Sequence, residues 1–315
     1  MPAPSTETSP PVDAVRESRI GLAYGLAAYI SWGLAPAYYK LLGDVTPIQI
    51  LAHRVFWSAI FLVPLLAHRR LWGAVRRALS TRKTFLTLFV STIMISTNWF
   101  TFIYSVSTNQ VVQAALGYYM NPLVVVLLGV VFLKERLRLW QIVSLSLAAA
   151  SVVILTIAQG GLPVISLILA VSFAVYGYLR KTVDAGPMVG LFIETLILLP
   201  VAIALMVWNS LSHGPWRSSA TYGILACAGI ITAVPLLWFA NAAKRLRLAT
   251  MGLLQYLAPT GSFLLAVIFF HEPFTPMQRV AFPMIWLALA VYSIDSYRAF
   301  RASIPAPDEP VLSDL

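Results

Sequence analysis

The stretch YMNPLVVVLLGVVFLKERLRLWQ, Tyr119 to Gln141, returns as YLAPTGSFLLAVIFFHEPFTPMQ, Tyr256 to Gln278. Tyr119, Pro122, Phe132, Glu135 and Gln141 coincide with Tyr256, Pro259, Phe269, Glu272 and Gln278, all at an offset of 137 residues. Each copy is an apolar run with a proline near its start and a glutamate thirteen residues beyond that proline. Aliphatic residues match easily in an apolar chain, but tyrosine, proline, glutamate and glutamine do not. The match reads as an internal duplication, and duplicated hydrophobic halves mark secondary transporters.

Composition says which solvent these segments meet. Of 315 residues 59% are apolar and 11% charged, against about one-quarter charged in soluble domains, and the mean hydropathy is +0.80. A membrane span needs about 20 apolar residues. Ten such segments are expected, at 20–42, 48–67, 84–107, 111–133, 138–158, 162–180, 187–208, 218–241, 248–270 and 275–296. Backbone groups in lipid must be satisfied within their own segment, so the spans are helices and the fold class is all-α. The ends, 1–18 and 299–315, carry prolines and acids with little apolar surface and are expected to be disordered cytoplasmic tails. The first apolar run is too long for a signal-peptide core and lacks a small-residue cleavage site.

Threaded with the amino terminus in the cytoplasm, ten spans place 18 of the 22 basic residues on the inner side. Arg69, Arg70, Arg76, Arg77, Arg82 and Lys83 form the largest group; Lys40, Arg54, Arg217 and Arg279 are the exceptions. This asymmetry is the positive-inside code. It puts both termini in the cytoplasm, and it explains the pI near 9.9 without nucleic acid. An offset of 137 residues carries five spans, an odd number, so the second copy (159–298) enters from the face opposite to the first (19–158). Such inverted five-helix repeats rock about a midplane site.

Charge inside the spans marks the candidate site. Arg54 stands seven residues after Pro47, and Glu194 seven after Pro187, so each lies about 10 Å inside its own interface. Groups at that depth face a polar interior or a partner. Arg54 would meet an anionic or electron-rich part of a solute, and Glu194 a cationic part or an exchangeable proton; alternatively the two staple their spans together. Asn98 and Trp99 lie in mid-span, as cavity lining or interhelical glue. Tyr118, Tyr119, Asn121, Gln255 and Tyr256 surround Pro122 and Pro259, which read either as equivalent helix bends lining a cavity or as packing relief. With Trp32, these aromatics would wall a central cavity suited to aromatic or zwitterionic solutes. No P-loop, G-x-S-x-G or H-E-x-x-H motif occurs. The lone Cys227 excludes an internal disulfide, so no cofactor or metal is expected and an enzyme is the weaker class.

Ala28-Tyr29 with Trp32-Gly33, His53-Arg54 with Trp57-Ser58, Asn98-Trp99, Leu116-Gly117-Tyr118 with Asn121-Pro122-Leu123, Phe173 to Arg180-Lys181, Glu194-Thr195 and Arg245-Leu246-Arg247-Leu248 resemble the RarD branch of the EamA group in the drug/metabolite transporter (DMT) superfamily. The resemblance runs from about 20 to 298. It implies ten helices in two inverted repeats, inner-membrane location and small-molecule permeation, in a branch named for a link to chloramphenicol sensitivity. One departure is Gln113, where the family leads us to expect an acid. The reading is therefore a permease that exports a small amphipathic metabolite or drug. Its partners are a small-molecule solute and the lipid bilayer, with a coupling proton and a homodimer admitted and no nucleic acid. A passive channel or scaffold and a lipid-modifying enzyme stay open as alternatives. In a Cys227→Ser background, a cysteine at Arg217 should react with an impermeant thiol reagent on intact cells and one at Arg76 should not. External labelling at Arg76 would reverse the orientation.

Overall fold

This computed structural model describes residues 12–133, 137–159, 161–213, 218–246 and 254–302. They form α1 (Val12–Lys40), α2 (Pro47–His68), α3 (Trp72–Ser80), α4 (Arg82–Ser107), α5 (Val111–Leu133), α6 (Leu139–Gln159), α7 (Val164–Thr182), α8 (Pro187–His213), α9 (Ser219–Arg245), α10 (Leu257–Leu264, continued by a π-helical turn over Leu265–Phe269) and α11 (Pro276–Ala302). Eight of these helices are long and apolar enough to cross a membrane, and α7 and α10 with its π turn are shorter apolar helices. Together they are the ten expected spans of a multi-pass membrane protein. Three differences stand out. α1 begins at Val12 and α11 runs to Ala302, each inside a stretch expected as a tail, and loop 68–83 contains the short helix α3.

Local chemistry sets the helix limits. α2 opens with Pro47 at its first position after an extended Thr46, where a missing N–H costs nothing. α4 stops at a left-handed residue, Asn109 at φ 56°, a conformation asparagine tolerates. α5 has no acid in its first turn; Glu272 reaches across from the turn before α11 and accepts the N–H groups of Val111 and Val112 at 3.0 and 2.9 Å. A carboxylate against orphan N–H groups at a helix start satisfies both hydrogen bonds and dipole.

The repeat is visible in the packing. α1 lies on α9 as α7 lies on α4, and α1 lies on α10 as α7 lies on α5. The pairs α2–α8, α5–α10 and α6–α11 each join a helix to its own counterpart. Exchange of the halves reproduces these contacts, which is the two-fold expected of inverted repeats. Close crossings use small residues: a Cβ on Gly117 would stand 2.6 Å from the Ser166 carbonyl oxygen, and at the matching α1 crossing one on Gly25 would meet Leu254 at 2.7 Å. Small residues let membrane helices approach closely where no hydrophobic force joins them.

The duplicated glutamines are structural. Gln278 accepts the Thr275 N–H at 2.8 Å, and Gln141 accepts the Arg138 N–H at 3.0 Å, so the matched glutamines close the first turns of α11 and α6. Glu135, the mate of Glu272, lies outside the described residues. Glu272→Ala should lower stability by about 2 kcal/mol, the worth of charge-assisted bonds to orphan amides, seen as an earlier unfolding midpoint in detergent; an unchanged midpoint would remove this cap from the account.

Candidate functional site

Glu194 is fully buried on α8. Ser91 Oγ on α4 donates to Oε1 at 2.5 Å, and the Tyr176 hydroxyl on α7 donates to Oε2 at 3.4 Å. Arg180 Nη1 stands 3.8 Å from Oε1, an ion pair rather than a hydrogen bond. Arg180 Nη2 donates to the Gly186 and Pro187 carbonyls at 3.3 and 3.4 Å. The guanidinium thus lies along the face of α8 that leads to Glu194. Gly190 makes this possible: a Cβ there would fall 1.6 Å from Nη1.

Arg54 is half-buried on α2. Its Nη1 donates to the Tyr39 hydroxyl at 2.8 Å, and Cζ sits 4.1 Å from the centre of the Trp99 ring. Trp99 supplies the quadrupole that a cation seeks in an apolar setting. Asn98 beside it accepts from the Tyr118 hydroxyl at 2.9 Å and donates to the Leu169 carbonyl and Ser172 Oγ, both at 3.1 Å. Of the expected residues, Arg54, Asn98, Trp99 and Tyr118 therefore come together, joined by Tyr39.

Arg54 and Glu194 make no ion pair with each other, so the staple between them is corrected. Each has its own partner from the helix before it. Matching Lys40 to Lys181 sets Tyr39 against Arg180, and Pro47 to Pro187 sets Arg54 against Glu194. The two halves therefore repeat one arrangement with its chemistry changed: a cation on α2 held by a phenol on α1, and a carboxylate on α8 held by a cation on α7. A row of rings links them, Tyr39 to Phe102, Tyr118, Phe173 and Tyr176, with successive centroids 5.9–6.0 Å apart.

Other expected site residues lie elsewhere. Tyr119 and Thr260 hydroxyls are 2.7 Å apart, with the Tyr119 ring edge-on to Phe282 and Trp286. Asn121 is buried and donates to the Ala170 carbonyl at 3.1 Å, glue between α5 and α7. Trp32 packs with Tyr29 and Phe239 in a separate cluster. Gln255 and Tyr256 form the turn before α10. The single aromatic cavity expected from all these residues is corrected to two polar centres and separate packing clusters. The prolines also differ: α5 runs through Pro122, whereas Pro259 follows the turn at Gln255–Tyr256, where its ring would clash with the carbonyl four residues back. Sequence reasoning missed Arg180, Ser91 and Tyr39; Gly190, one turn before Glu194, was the readable hint.

The EamA-like transporter family model matches residues 19–157. A RarD protein of Salmonella typhi is 42% identical, covering 89% of this chain and 97% of its own. The chain belongs to the RarD branch of the EamA family, in the drug/metabolite transporter superfamily. An uncharacterized transporter of Vibrio cholerae is 40% identical over 91% of this chain and 96% of its own. A chloramphenicol-sensitive protein RarD of Pseudomonas aeruginosa is 30% identical over 91% and 98%. A solved crystal structure superposes with a TM-score of 0.59 over 88% of this chain and 98% of its own, at 19% identity, a likeness of fold alone. This is a membrane transporter family, which implies a small-molecule solute and a surrounding lipid bilayer.

Because the atom nearest the missing Cβ is the tip of a flexible side chain, Gly190→Ala should leave α8 intact and displace Arg180 from Glu194. The expected cost is about 3 kcal/mol, as for a buried charge that loses its partner. Combined with Arg180→Ala it should add less than about 0.5 kcal/mol, since both remove one interaction. Additive losses in unfolding measurements would mean that Arg180 does not serve Glu194.

Proposed function

We propose that the chain is a secondary transporter of the inner membrane, with both termini cytoplasmic, that exports a small amphipathic metabolite or drug by alternating access without altering it. One observation carries this reading. Among the described residues six buried side-chain polar atoms lack a hydrogen-bond partner, and five belong to α2: Gln49 Oε1, His53 Nδ1, Arg54 Nε, Trp57 Nε1 and Ser58 Oγ. Each such atom costs about 1–3 kcal/mol when left unpaired, and in hydrocarbon no bulk water relieves it. A helix that keeps five of them in one ten-residue stretch is built to meet something polar that comes and goes.

Arg54 is the charged member of that set, and its Nε is free while Tyr39 and Trp99 hold the rest of the group. It would receive an anionic or electron-rich part of the solute. Glu194 would exchange a proton, because a carboxylate separated from its cation in a low-dielectric interior takes up a proton rather than remain charged. Arg180 is held at 3.8 Å by the ion pair and two carbonyl contacts, so movement of α7 against α8 would part it from Glu194.

The test is counterflow in proteoliposomes with aromatic and zwitterionic solutes, chloramphenicol among them because a relative bears its name. Glu194→Gln should fold and transport with no pH dependence. Arg54→Lys should weaken apparent solute affinity about tenfold, near the value of one charge-assisted hydrogen bond. The exchange Arg54→Glu with Glu194→Arg should not restore flux, since the two groups do not pair. Counterflow absent while solute still leaks would make the protein a channel, and a chemically altered lipid would make it an enzyme.

A further inference from the structure

The six cations around α3 have no acidic neighbour along the chain. From Val45 to Lys134 there is no aspartate or glutamate, while Arg69, Arg70, Arg76, Arg77, Arg82 and Lys83 fall within fifteen residues. All six are exposed, and none takes part in an ion pair among the described residues. Like charges at this density repel, so the fold spends stability to keep them together unless an external anion offsets them.

The helix has two apolar sides. Val75 and Ala78 are buried and belong to the cluster containing Leu62, Leu66 and Leu88, which docks α3 on the bundle. Trp72 and Leu79, seven residues apart and so on one stripe, remain 45% and 38% exposed although they are large and apolar. Trp72 is fixed at one edge by Phe192, with ring centroids 5.7 Å apart. The outer side forms an open concavity of about 570 Å³, lined by Trp72, Gly73, Val75, Arg76, Leu79 and Ser80. Arg76 thus lines a concavity shared with Trp72, Val75 and Leu79. α4, on which α3 packs, continues with exposed Phe85, Leu86 and Phe89, a surface for acyl chains.

A basic helix with tryptophan and leucine exposed on its apolar side lies in the plane of a membrane interface. We propose that α3 is such an interfacial helix and binds the headgroup phosphate of anionic phospholipid at Arg76 and Arg77, with Trp72 and Leu79 among the first carbons of the acyl chains. Phospholipid is favoured over a soluble anion because the apolar half of the concavity would stay wet without a tail to cover it. The site needs no particular solute, and it is independent of the transport reading.

Native mass spectrometry of the full chain, exchanged against equimolar phosphatidylglycerol and phosphatidylcholine, tests it. Phosphatidylglycerol adducts should dominate, and Arg76→Gln and Arg77→Gln should each weaken them about fivefold. Arg279→Gln, an exposed cation elsewhere, should not. In parallel, bimane on Leu79→Cys with Cys227→Ser should be quenched in vesicles by lipids carrying a doxyl group high on the acyl chain. Equal retention of the two lipids, or unchanged adducts in both arginine variants, would overturn the site. So would displacement of phosphatidylglycerol by inorganic phosphate or a short RNA, or an unquenched probe.

Discussion

A buried carboxylate in a membrane helix must be kept in company, and the arrangement around Glu194 follows from that requirement. Ionisable groups within a bilayer are costly unless they face partners or a polar interior. Ser91, Tyr176 and Arg180 come from α4 and α7, so one side chain fixes how three helices meet. Gly190 then has to be small, and the turn between α7 and α8 has to return Arg180 over the start of α8. These five features, which look unrelated along the sequence, meet at one charge.

The first half solves the same problem with the sign reversed and less completely. Arg54 rests on Trp99 and Tyr39, yet its Nε and four other atoms of α2 stay unpaired. If the halves exchange roles as access alternates, the asymmetry gives each face its own chemistry. A cationic, hydrogen-bonding surface belongs to α2, and a carboxylate latched by an arginine belongs to α8. The ring row from Tyr39 to Tyr176 joins them through packed aromatic contacts.

The ten spans were legible because hydropathy and the ban on unsatisfied backbone in lipid leave few choices. The inverted relation was legible from an odd number of spans between copies. Partners were not. Arg180 lies at the end of its span, where an arginine reads as an interfacial anchor, and only the turn over Gly186 and Pro187 brings it inward. Tyr119 and Asn121 flank a proline in mid-span and looked functional, but they satisfy Thr260 and the Ala170 carbonyl. Part of the repeat signal is architecture: Gln141 and Gln278 close equivalent first turns, and Glu272 caps α5. α3 was hidden because nine residues with two arginines among them and three beside them fall below any span threshold, although their apolar spacing is helical.

The central claim is that the two halves rock against each other about the centres at Arg54 and Glu194, opening one face as the other closes. Electron–electron distance measurements in nanodiscs test this most directly, with spin labels at the exposed pairs Thr108/Pro273 on one face and Ser80/Asp184 on the other. The account predicts two populations for each pair, with the long distance on one face growing as that on the other shrinks when pH is lowered, and no such response in Glu194→Gln. Single, pH-independent distances on both faces would contradict it, as would the two faces widening together.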